Sequence, residues 1–260
     1  MRTILTLIFV AATALMTNAQ NGWPTVLPGD SVKLIVTVHN GTIQWQQSTD
    51  SITWTNITGA TTTPYELITT SSPTNKRYYR AAITDVLCPN ATPFYSSIIC
   101  HKVITSTTQI VVGDWFHGGI VFYTDGTGHG LIAPQTDQST SVQWGFQWGC
   151  YGTSIPGAVS LTDGNANTTA IYNNCADRPI AASICYDLTL NGYNDWFLPA
   201  KDQLNYLYQQ CALVGGFANN YYWSSSEYDA DYAWRQGFNN GIQNHLYKAS
   251  TNNVRCVRSF

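Results

Sequence analysis

Apolar and polar residues alternate with a period of two along the first third of the chain. In SVKLIVTVHNGTIQWQQS, Val32, Leu34, Val36 and Val38 are separated by polar or mixed neighbours, the pattern of a strand with one buried face. Asn40-Gly41 then predicts a hairpin turn into a second strand carrying Ile43 and Trp45. SITWTNI, YEL, KRYYRAAITD and FYSSIICHKVI read as further short strands between Thr- and Pro-rich turns. About seven such strands with regular turn signals predict an all-β sandwich over residues 28 to 104.

The grammar changes after TSTTQIVVGDW, which marks a junction between a domain of residues 21–108 and one of residues 109–260. GGIVFYTDGTGHGLIAP predicts a hairpin turning at Asp125-Gly126-Thr127-Gly128. RPIAASICYDL predicts a helix with Ile180, Ile184 and Leu188 on one face, and Pro179 suits its first turn. FLPAKDQLNYLYQQCALV predicts a second, with Leu204, Leu207, Tyr208 and Cys211 at helical spacing and Gly215-Gly216 as its stop. Ala200 occupies its capping position, where Ser or Thr would contribute about 1 kcal/mol. The period then returns to two. Tyr221–Glu227, Tyr232–Phe238, Ile242–Tyr247 and Val254–Phe260 read as an antiparallel meander with turns at Asn240-Gly241 and Asn252-Asn253. Tyr232, Trp234 and Phe238 fall on one face, which is expected to pack on the two helices with Trp223 in the core. The second half is therefore α+β.

The first residues, MRTILTLIFVAATALMTNAQN, place Arg2 before an apolar run from Ile4 to Met16 and the small-residue end Thr17-Asn18-Ala19. That three-part pattern reads as a signal peptide over residues 1–20, too short for a membrane span of ~20 apolar residues. The expected location is secreted or at the outer cell surface. Charged residues make up only 10% of the chain and the formal net charge is −3. That argues against nucleic acid, whose phosphates need clustered Lys and Arg. Seven cysteines, Cys88, Cys100, Cys150, Cys175, Cys185, Cys211 and Cys256, imply disulfides in an exported chain with at least one thiol left over. A Cys88–Cys100 pair would close the last hairpin of the first half. No zinc or redox spacing occurs.

The richest chemistry lies in YYWSSSEYDADYAWRQGFNNG, residues 221 to 241. Glu227, Asp229 and Asp231 are three acids within five residues. They could serve as a carboxylate pair for glycoside hydrolysis, sit in a solvated turn, or offer hard oxygens to calcium. No cofactor is otherwise implied. Nucleophile-elbow and zincin motifs are missing from the sequence. Read as a binding surface, Tyr222, Glu227, Tyr228, Asp229, Asp231, Tyr232, Arg235, Asn239 and Asn240 form a polar-aromatic face. Its rings would stack on sugars or peptides while amides and hydroxyls adapt their hydrogen bonds. The expected partner is an extracellular glycan or a surface protein.

Three resemblances add to this reading. Residues 28 to 104 resemble an immunoglobulin-like domain, with Trp45 as the buried Trp of the third strand and Tyr78 or Tyr79 as the tyrosine of the next-to-last strand. The inter-sheet cystine is missing, so Leu34 or Val36 is expected in its place. GYNDWFLPAKDQL, YYWSSSEYD and VRCVRSF, in that order, resemble the C-terminal domain family of the Legionella collagen-like adhesin over about residues 113 to 260. That resemblance implies a C-type-lectin-like fold whose first and last strands pair and whose two helices flank a twisted sheet. It also implies Cys256 paired with a helix cysteine, and extracellular adhesion without catalysis. Within the family, sulfated polysaccharides are bound, which wants a basic patch; Arg235, Lys248, Arg255 and Arg258 are the contributors in the terminal strands. The order of leader, immunoglobulin-like module and terminal binding domain looks like a surface protein of the Bacteroidetes type. DWFLPAKDQL and VRCVR distantly resemble the formylglycine-generating enzymes, whose copper chemistry would need a second cysteine beside Cys256, such as Cys185 or Cys211. A third alternative is a purely structural protein–protein module.

Overall fold

The computed structural model describes residues 24–37, 39, 41–70, 76–85, 87, 92–138 and 145–260. The expected signal peptide, Val38, Asn40 and Cys88 lie outside them. The chain divides into two compact units between Gln109 and Ile110, and most of its regular structure is strand.

The N-terminal unit holds β1 (Thr25–Val26), β2 (Ser31–Leu34), β3 (Thr42–Ser48), β4 (Thr55–Asn56), β5 (Tyr65–Ile68), β6 (Lys76–Thr84), β7 (Phe94–Tyr95) and β8 (Ile99–Val103). One sheet runs β1-β8-β6-β3-β4, with β7 also on β6, and β2 pairs with β5 in a second. β1 runs parallel to β8, while β3 and β6 are antiparallel from Thr42↔Thr84 to Ser48↔Tyr78. This is an immunoglobulin-like sandwich. Trp45 on β3 is fully buried, and its Nε1 donates to the Thr62 carbonyl at 2.9 Å. Leu34 and Val36 pack in the same core with Tyr79. The turn expected at Asn40-Gly41 lies partly outside the described residues, and among these β2 pairs with β5 and not with β3. β2 lies in the opposite sheet from β3, because Val32 and Leu34 meet Trp45 across the core rather than beside it in one ladder.

The C-terminal unit holds β9 (Trp115–Phe116), β10 (Gly119–Thr124), β11 (Gly130–Ala133), β12 (Phe146–Gln147), α1 (Gly164–Asn174), α2 (Ala181–Tyr186), α3 (Lys201–Gln209) and α4 (Cys211–Val214). After these come β13 (Tyr221–Glu227), β14 (Tyr232–Gly237), β15 (Gln243–Tyr247), β16 (Thr251–Asn252) and β17 (Arg258–Ser259). β10 and β11 form the predicted hairpin, and β13-β14-β15 form a three-stranded meander. The fourth strand expected for that meander is absent from it. Of residues 254 to 260 only Arg258–Ser259 are strand, and this β17 pairs with β11 through Leu131↔Ser259 and Ile132↔Arg258, while β16 just before them pairs with β12.

Alternation along β13 sends neighbouring rings into two different cores. Tyr222 packs with Ile120, Phe122, Leu204, Leu207 and Val257, while Trp223 packs with Trp148, Ile171, Cys185 and Cys256. The helix α1 is an addition to the predicted elements, because its sequence GNANTTAIYNN carries no apolar stripe. It is capped by Asp163, whose Oδ1 accepts from Ala166 N at 3.0 Å, and it is seated by polar side chains. Thr168 Oγ1 accepts from Leu198 N at 3.0 Å, and Asn167 Nδ2 donates to the Ser160 carbonyl at 2.7 Å. α3 starts at Ala200 without a side-chain cap; instead Gln203 Oε1 accepts from both Ala200 N and Gly164 N.

Two disulfides lie in the C-terminal unit, Cys150–Cys175 and Cys185–Cys256, as an oxidising compartment would allow. Cys100 and Cys211 are free thiols, so Cys100 closes no hairpin cystine. Burial pushes the Cys100 thiol up to about 12, which leaves it unreactive. No helix among the described residues is long and apolar enough to cross a membrane.

The sandwich core contains one costly group. His101 on β8 is buried edge-on to Tyr79, and neither ring nitrogen has a hydrogen-bond partner. Burial pulls its pKa down to about 4, so the folded state keeps the ring neutral where the unfolded chain, near 6.5, takes up a proton. Stability is therefore complete above pH 6.5 and falls as pH drops toward 4, by on the order of 3 kcal/mol from this group. His101→Leu should abolish that part of the loss. Denaturant unfolding of both proteins between pH 7.5 and 4 measures it, and parallel curves would show that another group carries the acid sensitivity.

Candidate functional site

The Tyr221–Gly241 segment builds two surfaces of opposite character. Its serines are internal. The register of β13 on β14 jumps from Trp223↔Arg235 to Glu227↔Ala233, so Ser224, Ser225 and Ser226 bulge out of the ladder. All three are buried; Ser224 Oγ donates to the Trp234 carbonyl at 3.0 Å and Ser225 Oγ accepts from Asn167 Nδ2 at 3.3 Å. Ser226 Oγ donates to the Ser160 carbonyl at 2.7 Å and accepts from Lys201 N at 2.9 Å, and Ser225 N donates to the Pro199 carbonyl at 2.8 Å.

Glu227 is internal as well. Its Oε1 accepts from Lys248 Nζ and from Ile155 N, and its Oε2 from Ser154 Oγ, with both charged side chains buried. Lys248 Nζ also donates to the Thr153 carbonyl at 2.9 Å and lies 4.7 Å from the Trp148 ring centroid. Tyr222 is fully buried and donates to Asp137 Oδ2 at 2.6 Å; burial and that carboxylate raise its pKa. Neither residue can meet a ligand. The calcium set Glu227, Asp229 and Asp231 loses Glu227 to that burial. Glu227 is neutralised by a lysine, and Asp229 Oδ1 accepts from the backbone of Asp231 and Tyr232 at 2.9 and 2.8 Å, bracing the turn. Among the described residues, the one group of three ligating atoms within 4.8 Å is Cys150, Cys175 and Asp177. Its two sulfurs are joined in a cystine and offer no thiolate.

The basic side chains expected to make a patch are also engaged. Arg255 is buried, with Nε on Asp137 Oδ1 at 2.8 Å and Nη2 on the Gly216 carbonyl at 2.6 Å. Arg258 grips Asp195 in a bidentate pair at 2.7 and 2.8 Å, which lowers the pKa of that carboxyl. Asp195 therefore anchors the last strand. Arg235 stacks 3.9 Å from the Tyr221 ring centroid and donates to Asn244 Oδ1 at 2.9 Å. With Lys248 in its buried pair, all four are held by this unit's own residues.

The outward face of β14 and β15 carries the aromatic surface. Tyr232 and Trp234 turn outward and Ala233 turns into the core, which reverses the predicted facing. Register pairs Tyr232 with Tyr247 and Trp234 with His245. Tyr228 stacks on His245 at 4.2 Å and 8°, and Tyr232 stacks on Tyr247 at 4.5 Å. Tyr228 meets Trp234 edge-on at 5.4 Å, and Tyr151 meets Tyr247 edge-on at 5.9 Å. Lys201 Nζ sits 4.7 Å from the Trp234 ring centroid. The result is a continuous strip in which Tyr228, Tyr247 and Tyr151 remain 50%, 47% and 53% exposed. The hydrogen bond shared with Tyr247 pushes the Tyr232 phenol up to about 12, so the Tyr232 hydroxyl stays a neutral donor and acceptor.

Of the residues singled out from sequence, Tyr228, Asp229, Asp231 and Tyr232 lie on or beside this strip. Arg235 points to the opposite face of β14, and Asn239 and Asn240 sit in the turn at its other end, where Asn240 Oδ1 accepts from Ile242 N. Trp234, His245, Tyr247, Tyr151 and Lys201 join the strip without having been singled out. The first three were legible as an alternating pair of strands, had β14 been faced correctly.

These features define a mostly-β protein with an immunoglobulin-like unit and a disulfide-bonded C-terminal unit presenting an aromatic surface. Residues 134–258 match the family model of the Lcl C-terminal domain, so the resemblance carried by the three motifs holds. Residues 23–112 match the model of a domain of unknown function, DUF8696. No curated protein matches the chain. Among solved structures, the fibronectin(III)-like modules of Clostridium thermocellum CbhA are similar at 13% identity, over 37% of this chain and 94% of theirs, with a TM-score of 0.21.

The Glu227–Lys248 pair gives a stability test. Lys248→Met leaves a buried carboxylate without its cation and should cost ~3–5 kcal/mol. Adding Glu227→Gln should recover much of that loss, because no charge then remains buried. Chemical denaturation of the two single variants and the double variant reads the coupling, and simple additivity would contradict it.

Proposed function

We propose that this protein is a non-catalytic extracellular binding protein, adhesin-like in action, whose C-terminal unit recognises glycan through the aromatic strip. The observation that carries the reading is the run Tyr228–His245–Tyr232–Tyr247–Tyr151, stacked and braced by the sheet yet half-open to solvent. Rings held rigid on strands lose little freedom on binding, and their faces match the C–H faces of pyranose rings. The engaged state of Lys248, Arg255, Arg258 and Arg235 favours a neutral saccharide over a sulfated one at this strip.

We read the C-terminal unit as C-type-lectin-like. The tie from Cys256 to α2 supports that reading, as does the place of β17 in one sheet with the opening strands, although its partner there is the third strand β11 and not the first. The same cystine speaks against oxidative chemistry of the formylglycine-generating kind, since both sulfurs are buried and bonded to one another. Export to the cell surface or medium accords with the two disulfides.

A glycan array probed with the full chain, with and without chelator, tests this. Retention of neutral saccharides is expected under both conditions, with at least a tenfold loss in the Tyr228→Ala/Tyr247→Ala variant. Retention of no glycan under either condition removes the lectin reading. A pull-down from the parent cell surface that captures a protein through the same tyrosines would replace it with a protein–protein module.

A further inference from the structure

The outer face of the N-terminal sheet carries different chemistry. Register sets Asn56, Gln46 and Arg80 side by side on β4, β3 and β6. The Gln46 amide joins them: Nε2 donates to Asn56 Oδ1 at 2.9 Å, and Oε1 accepts from Arg80 Nε at 2.9 Å. The guanidinium is also sandwiched, 4.2 Å from the Trp54 ring centroid on one side and 3.8 Å from that of Tyr95 on the other. Two rings and one amide thus fix its position, plane and rotation.

What remains of Arg80 is unused. No described residue accepts from Nη1 or Nη2, and neither atom is a buried orphan, so both reach solvent. None of the ion pairs among the described residues involves Arg80. A guanidinium in this condition is a forked donor whose ordering entropy has been lost before any ligand arrives, and its geometry fits a planar carboxylate. Beside it lies a groove of about 880 Å³ whose lining mixes polar Thr42, Gln44, Asn56 and Thr62 with apolar Ala82 and Pro93. Gln44 Nε2 is held by the Trp45 and Ile57 carbonyls and the Gln46 amide by Asn56 and Arg80, so the Thr42 and Thr62 hydroxyls are the uncharged groups that suit sugar hydroxyls there.

We infer that this face is a second binding site, for a carboxylate-bearing saccharide such as a uronate unit of an acidic polysaccharide. Arg80 takes the carboxylate, Trp54 and Tyr95 hold the guanidinium, and the groove takes the ring hydroxyls. An acidic peptide offers the same carboxylate without the ring of closely spaced hydroxyls that the open Thr42 and Thr62 hydroxyls can meet. The site is independent of the aromatic strip on the C-terminal unit.

Calorimetry of the full chain with oligogalacturonate tests it. The oligomer should bind at low salt, and its methyl-esterified form and oligoglutamate should bind at least tenfold more weakly. Gln46→Glu sets a carboxylate against the guanidinium and should weaken binding at least tenfold while circular dichroism and the unfolding midpoint stay unchanged. Arg80→Lys, which keeps the charge but loses the fork, should do the same, and it decides the outcome if the first variant does not fold. Tyr228→Ala/Tyr247→Ala should leave the affinity unaltered. Absence of binding, full affinity in a folded Gln46→Glu protein, or equal affinity for oligoglutamate would overturn the assignment.

Discussion

Buried charge pairs hold the C-terminal unit together. A chain with few charged residues places several of them inside: Lys248 with Glu227, Arg255 with Asp137, and Arg258 with a partly exposed Asp195. Each cation also donates to backbone carbonyls of distant loops, at Thr153, at Pro134 and Gly216, and at His117. Long irregular segments leave many polar backbone groups without ladder partners, and these must be satisfied if the segments are to pack. The arginines and the lysine do that work while their carboxylates keep the charges compensated. Stability thus depends on complete pairs, since half of such a pair is worse than none.

The same economy explains the serine run. A bulge in β13 buries three hydroxyls, one on the Trp234 carbonyl of β14, one on Asn167 of α1 and one on the Ser160 and Lys201 backbone. Buried hydroxyls are tolerated because each finds a partner. With its interior fastened in this way, the sheet can leave a row of aromatic rings on its outer side, packed on one another and short of full burial.

The sequence disclosed period and turn chemistry well and disclosed partnership poorly. The strands around Trp45, the hairpin at Asp125-Gly126 and the helix at Leu204–Leu207 announced themselves through apolar spacing. α1 did not, because its seating uses Asn167 and Thr168 instead of an apolar stripe. Alternation placed β2 and β3 as strands, yet it says nothing about which sheet each joins. The facing of β14 failed because large rings outweighed small Ala233, although the small residue is the one that fits against Trp223 and Cys256. Carboxylates proved hardest: nothing local in SSSEYDAD separates Glu227, committed to a lysine twenty-one positions away, from Asp229 in its turn.

The pairing of β17 with β11 has a mechanical meaning. It sets the opening hairpin of the C-terminal unit and its last strand in one sheet, through Leu131↔Ser259 and Ile132↔Arg258. Traction applied to β17 would first load this small sheet and the bidentate grip of Arg258 on Asp195. Two residues upstream, the covalent tie from Cys256 to α2 would stop any peeling before it reached the meander. A tethered protein so built could be tugged by flow or by a moving neighbour without its aromatic face losing shape.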